Sequence, residues 1–272
     1  MTSAVIRRPA VAGYYYPADP VALREQVDAL TQPTITLLSA HAVVVPHGSY
    51  RHAGAVLGAT WAQVAIPRRC IIVGPSHTGS WIPWSLMMDG AYRTPLGDVP
   101  IDAACAEALQ SRCQFLSPDA WAQAGEHAIE VLLPFLQRRA PADLSVVPIV
   151  MGSDDEAEFA RFAEALAQVV RMQEEPVLLI ASSDLSHYEV QERAARQDRQ
   201  LIEAIEAFDV PAIIRAVREE SVRMCGYGAV ACVLTAAKQL GASRASLIAY
   251  STSAEAGGDP HSVMGYAGLV VR

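Results

Sequence analysis

Val43-Val44-Val45-Pro46-His47-Gly48-Ser49-Tyr50 is the stretch on which the fold turns. Three consecutive β-branched residues read as a strand buried on both faces, and Pro46, with no N–H to give a ladder, ends it. The next residue is a histidine on a glycine-containing loop. The arrangement recurs in Ile71-Ile72-Val73-Gly74-Pro75-Ser76-His77 and in Val177-Leu178-Leu179-Ile180-Ala181-Ser182-Ser183-Asp184-Leu185-Ser186-His187. Ligands of open α/β sheets bind outside the carboxyl ends of the strands. The repeat therefore predicts that three imidazoles meet in one crevice.

Working outward, strands alternate with helices, which predicts an α/β fold with a mostly parallel central sheet covered by helices. Asp19 caps a helix whose first position is Pro20. A small-residue helix is expected over 52–65, and strands over 70–74, 86–88 and 144–150. Residues 92–99 read as turns. Asp102 opens a short helix to Leu109, and 155–170 has an amphipathic period. Residues 126–139 read as a helix kinked or stopped at Pro134. Helix is also expected over 189–220, interrupted near Pro211, and over 228–240. Strands at 247–250 and 263–271 close the chain, as an antiparallel pair. Tyr14, Tyr15 and Tyr16 line a pocket mouth or, more simply, pack on the body.

The chain has 272 residues, about half of them apolar, and a formal charge of −8. That length suits one large α/β domain or two small ones; with no repeat or long linker, a single domain spanning 1–272 is expected. The composition argues against disorder, and the charge against non-specific nucleic-acid binding. No apolar run is long enough to span a membrane, and Met1 to Arg8 lacks a signal-peptide core, so a cytoplasmic location is expected. Five scattered cysteines read as free thiols.

Several residues carry chemistry. His47 and His77 sit at matching strand ends, rigid mounts of the kind metal ligands need. Asp184 and His187 share a turn. The carboxylate either orients the imidazole or caps the next helix, and the imidazole is a proton shuttle or a third nitrogen ligand. Glu126 and Glu130 suit a helix first turn and need no function there. His127 is unusual at that end, so a neutral ring bonded to substrate stands beside a plain structural role. Cys225 precedes a helix, where a thiol has a lowered pKa, and its neighbouring glycines let a ligand approach. The other four cysteines are packing residues. Thiolate with imidazoles suits iron, copper or zinc better than magnesium.

Pro46-His47, Gly74-Pro75-Ser76-His77, Glu126-His127-Ala128-Ile129-Glu130 with Leu133-Pro134-Phe135, Ser182-Ser183-Asp184 with His187, and Met224-Cys225-Gly226 together resemble the Memo family, nearly end to end. The resemblance implies a fold similar to the extradiol, ring-cleaving non-haem iron dioxygenases. It implies a metal site of His47, His77 and Cys225, with the thiolate where those dioxygenases use a carboxylate, and His187 where they keep an acid–base histidine. His127 would line the same pocket. The implied metal is Fe(II), with copper as the alternative, and the implied bacterial partner is a radical-SAM protein. The chain departs from the family at Gly48-Ser49, at Ala128 and after Gly226.

Three functions follow as expectations. The first is a metal-dependent redox enzyme with His187, His127 and Asp184 as its catalytic groups. The second is a binding module that keeps the pocket without turnover, as the signalling role described for mammalian relatives suggests. The third, hydrolysis by Ser182 or Ser183 with His187 and Asp184, lacks a nucleophile-elbow motif.

Overall fold

The computed structural model describes residues 5–32, 34, 36–79 and 82–272. Of the N-terminal stretch read for a signal peptide, Met1 to Ala4 lie outside those residues. In chain order the elements are β1 (Ile6–Arg7), α1 (Pro20–Leu30), β2 (Ala42–Val45), α2 (Gly54–Gln63), β3 (Arg69–Pro75), β4 (Trp84–Leu86), β5 (Ala91–Thr94), β6 (Gly97–Pro100), α3 (Ala103–Arg112), β7 (Ser117–Pro118), α4 (Leu133–Arg139) and β8 (Ser145–Met151). There follow α5 (Glu156–Arg171), β9 (Val177–Ser182), β10 (His187–Glu189), α6 (Gln191–Glu206), α7 (Val210–Arg218), α8 (Tyr227–Gln239), β11 (Ala245–Thr252) and β12 (Val263–Val271). Aspartates set several helix starts. Asp19, Asp102, Asp155 and Asp209 each accept first-turn backbone N–H groups of α1, α3, α5 and α7, satisfying donors that a helix leaves unpaired.

Two prolines act differently from the expectation. Pro134 and Pro211 lie in the first turns of α4 and α7, where a fixed φ and a missing N–H cost nothing. They start helices instead of kinking them. Ahead of α4 there is only a short 3-10 turn, Glu130–Leu132, so 126–129 is not helical. The turn-rich stretch 92–99 is a hairpin, β5 with β6.

The main sheet runs β10-β12-β2-β9-β3-β8-β4-β7, with β11 on the other edge of β12. Its centre, β2-β9-β3-β8, is parallel. Antiparallel pairings flank it: β12 on β2, β10 and β11, and β4 on β8. The sheet is thus mixed, and the expected parallel character holds for the centre and for the short β4–β7 pair at one edge; the closing strands form the antiparallel pair. Alternate residues of the central strands serve two cores. Val44, Ile71, Val73 and Leu179 pack with α3, α5, α6 and α8. Val43, Val45, Ile72 and Ile180 pack with α1, α2 and α4 on the opposite face. The small sheet β1-β5-β6 adds Tyr92 and Val99 to that second core. Burial on both faces is why these strands read as unbroken apolar runs. Among the described residues no helix is long and apolar enough to cross a membrane.

Candidate metal centre

The carboxyl ends of β2, β3 and β9 open on one cavity of about 380 Å³. His47 follows β2, His77 follows β3, Asp184 follows β9, and His187 opens β10; all four line the cavity with His127, Tyr14, Tyr15 and Tyr188. The strand-end repeat did bring its three imidazoles into one crevice. Cys225 arrives from the far side, two residues before α8. Gly226 makes that approach possible: a Cβ there would stand 2.4 Å from the Ser182 carbonyl oxygen. The glycine thus admits the end of β9, not a ligand.

His47, His77 and Cys225 form a group whose donor atoms all lie within 4.8 Å of one another. Cys225 Sγ is 3.2 Å from His47 Nε2. The imidazoles are oriented from behind. Ser182 Oγ donates to the Ala128 carbonyl at 2.6 Å, so its oxygen accepts from His47 Nδ1–H at 2.8 Å. Glu126 Oε1 accepts from His77 Nδ1–H at 2.8 Å. His187 Nδ1 faces two carbonyls, Leu185 O and Arg223 O, each at 2.8 Å, which only a ring N–H can satisfy. All three rings therefore keep the Nε2 lone pair for the cavity, the tautomer a ligand or a base needs. The His47 and His77 ring centroids are 5.0 Å apart, and His127 stacks on His77 at 4.5 Å.

Electrostatics favour neutral rings at His47 and His127. Burial pushes His47 below its ordinary pKa, with His77 and His127 nearby adding to the effect; His127 is lowered by the same causes. Burial opposes ionisation of Glu126, yet hydrogen bonds from His77 and Ala128 hold it at about 2. Cys225 departs from expectation. Burial, then the Asp184 charge, pushes the thiol up, against the lowering expected at a helix start. A coordinated cation reverses that balance, since a ligating thiol is deprotonated.

The donor set fits a transition metal. Metal bonds of about 2.0–2.3 Å to nitrogen and sulfur place donors three to four ångströms apart, and the outer-shell partners of both imidazoles are in place. Asp184 corrects its expected role. Its Oδ1 accepts the His47 backbone N–H at 2.8 Å and Oδ2 lies 3.9 Å from His47 Nε2, so it serves the His47 loop while carbonyls orient His187. The serines fail as nucleophiles. Ser182 is engaged as above, and Ser183 Oγ donates to the Asp184 carbonyl while accepting from Gly226 N–H.

Sequence reasoning missed Glu126 as a site group, because it is wholly buried and burial was invisible. Of the tyrosines, Tyr16 packs inside, whereas Tyr14 and Tyr15 line the mouth. The remaining cysteines, Cys70, Cys105, Cys113 and Cys232, are free and buried.

A family model described as Memo, Memo-like protein, matches residues 7–270. The chain belongs to the Memo family. MEMO1 family proteins of Methanopyrus kandleri and Methanococcoides burtonii are each 38% identical to it, over 98% of this chain and 99% and 100% of theirs. One from Sulfolobus acidocaldarius is 35% identical over 96% of this chain and 98% of its own. Among solved structures, the uncharacterized protein JW3007 from Escherichia coli K12 aligns with a TM-score of 0.57 at 16% identity. It covers 84% of this chain and 98% of its own, a likeness that shows fold alone. Memo membership thus covers the whole length that the short motifs mark out.

Proposed function

We propose that this Memo chain is a non-haem metal-dependent redox enzyme whose ion is held by His47, His77 and Cys225. One observation carries the reading: two Nε2 lone pairs and a thiol converge within 4.8 Å while protein partners occupy the Nδ1 sides. Imidazole with thiolate suits iron, copper or zinc, and family membership points to Fe(II), with copper as the alternative; bound there, the ion would supply redox chemistry and Lewis acidity. His187, with its Nε2 lone pair facing the cavity, acts as the base that takes a proton from substrate. His127, neutral and stacked on His77, contacts substrate at the opposite wall. Asp184 fixes the His47 loop, its carboxyl pushed above the usual range by burial. Kinship with extradiol dioxygenases, a cytoplasmic location and a radical-SAM partner belong to the same proposal, supported by family membership and by donors at strand carboxyl ends.

The test is elemental analysis of anaerobically purified protein. Near-stoichiometric iron or copper is expected in the wild type, with loss in Cys225→Ser and His77→Ala. A metal-free wild type, or full occupancy in both variants, would overturn the reading. The second reading, a binding module without turnover, draws on Tyr14 and Tyr188, which are 88% and 66% exposed at the rim. It predicts ligand binding that survives chelation.

A further inference from the structure

We propose that the cavity takes a planar aromatic ligand that is neutral or cationic, and that it turns anions away. The inference rests on the proposed function only in placing the ligand in the same cavity; it does not need the metal. A space of about 380 Å³ lies within the range of small-molecule sites. Its lining contains no lysine or arginine among the described residues and one carboxylate, Asp184. A second carboxylate, Glu126, stands directly behind His77. A carboxylate or phosphate ligand would find no lysine or arginine in the lining to pair with, an arrangement that costs affinity.

The walls supply flat apolar surface. Tyr14, Tyr15, Tyr188, Tyr266 and Met264 line the cavity. Tyr15 meets the His127 ring edge-on at 4.8 Å. Tyr188 carries the strongest signal, because its φ is +57°. An aromatic residue in the left-handed region is strained, and such strain persists where it serves a site. Here it coincides with a ring left in solvent at the rim, beside the base His187. Aromatic faces of this kind stack planar rings and attract cations.

The test uses three probes sharing a phenyl ring and a short tail: 2-phenylethylamine, 2-phenylethanol and 3-phenylpropionate. Binding to the full chain is measured by calorimetry or ligand-observed NMR, before and after chelation, with metal content determined on the same preparations. The amine and the alcohol should bind at least tenfold more tightly than the carboxylate in both states. Tyr188→Gly is the variant of choice, because glycine accepts a φ of +57° without strain; it should weaken both by at least fivefold while preserving the fold. Equal or tighter carboxylate binding, no binding of any probe, or unchanged affinity in Tyr188→Gly would each overturn the proposal. Metal content reports separately on the metal centre.

Discussion

Glu126 and Glu130 are near neighbours on one segment, both wholly buried, and they do opposite work. Glu130 is enclosed by Arg7, by the Tyr16 hydroxyl and by the Ala10 and Val11 N–H groups. Its charge is matched by a permanent cation, and the cluster straps the N-terminal segment onto the second core. Among the described residues no arginine or lysine pairs with the Glu126 carboxylate; Arg7 reaches only its backbone carbonyl. It accepts from His77 Nδ1 and from the His77 and Ala128 N–H groups, so its charge leans on a ring whose other nitrogen faces the cavity. A buried carboxylate satisfied by arginine is a structural tie. One satisfied by a ligand histidine tunes that ligand.

Exchanging each acid for its amide separates the two roles. Glu130→Gln leaves Arg7 buried without its counter-charge and should cost about 3–5 kcal/mol of stability, read by chemical denaturation, with metal content per folded chain unchanged. Glu126→Gln should instead weaken metal affinity about 10- to 100-fold, read by competition with a chelator, on a chain that still folds. If Glu130→Gln lost metal at full stability, or Glu126→Gln only lowered stability, the contrast would break.

Acid sharpens it further. Glu126 ionises at about 2 in the fold against an ordinary 4.5. A depressed carboxyl contributes stability that is complete above pH 4.5 and lost as the pH falls through about 2. Glu126→Gln should therefore flatten the acid limb of the stability curve below pH 4.5, as followed by thermal melts across that range. The smallest effect belongs to Tyr50→Phe. It removes one hydrogen bond to the Val131 carbonyl on the strap side and should cost about 0.5–1.5 kcal/mol with metal affinity unaltered.

The same pair marks what a sequence can and cannot say. Val43 to Val45, Ile71 to Val73 and Val177 to Ile180 were readable because double-faced burial demands unbroken apolar runs, and the histidines after them inherit their address from the strands. Glu126 was unreadable for the converse reason. An acid ahead of a helix is favoured by the dipole whether or not it has work to do, and nothing local shows that it is buried against His77. The Asp184–His187 pairing misled because closeness in sequence stood in for orientation. The groups that fix His187 are carbonyls of Leu185 and Arg223, which leave no trace in side-chain pattern. Cys225 was marked by its place before α8, but its thiol is governed by burial. Gly48, where the chain departs from the usual family motif, has a physical partner. A Cβ there would stand 2.7 Å from the Tyr266 ring, so the missing side chain lets that ring sit where it does at the cavity wall.

The position of β9 has a consequence for the order of events as the chain folds. It is inserted between β2 and β3, yet it is made about 130 residues after β2 and about 100 after β3, and pairings that distant form slowly. Until it arrives, β2 and β3 have no shared neighbour, and Ser182, which fixes the His47 ring, has not been placed. Neither half of the sheet can assemble the donor triad early. The preorganised site is a product of completed folding.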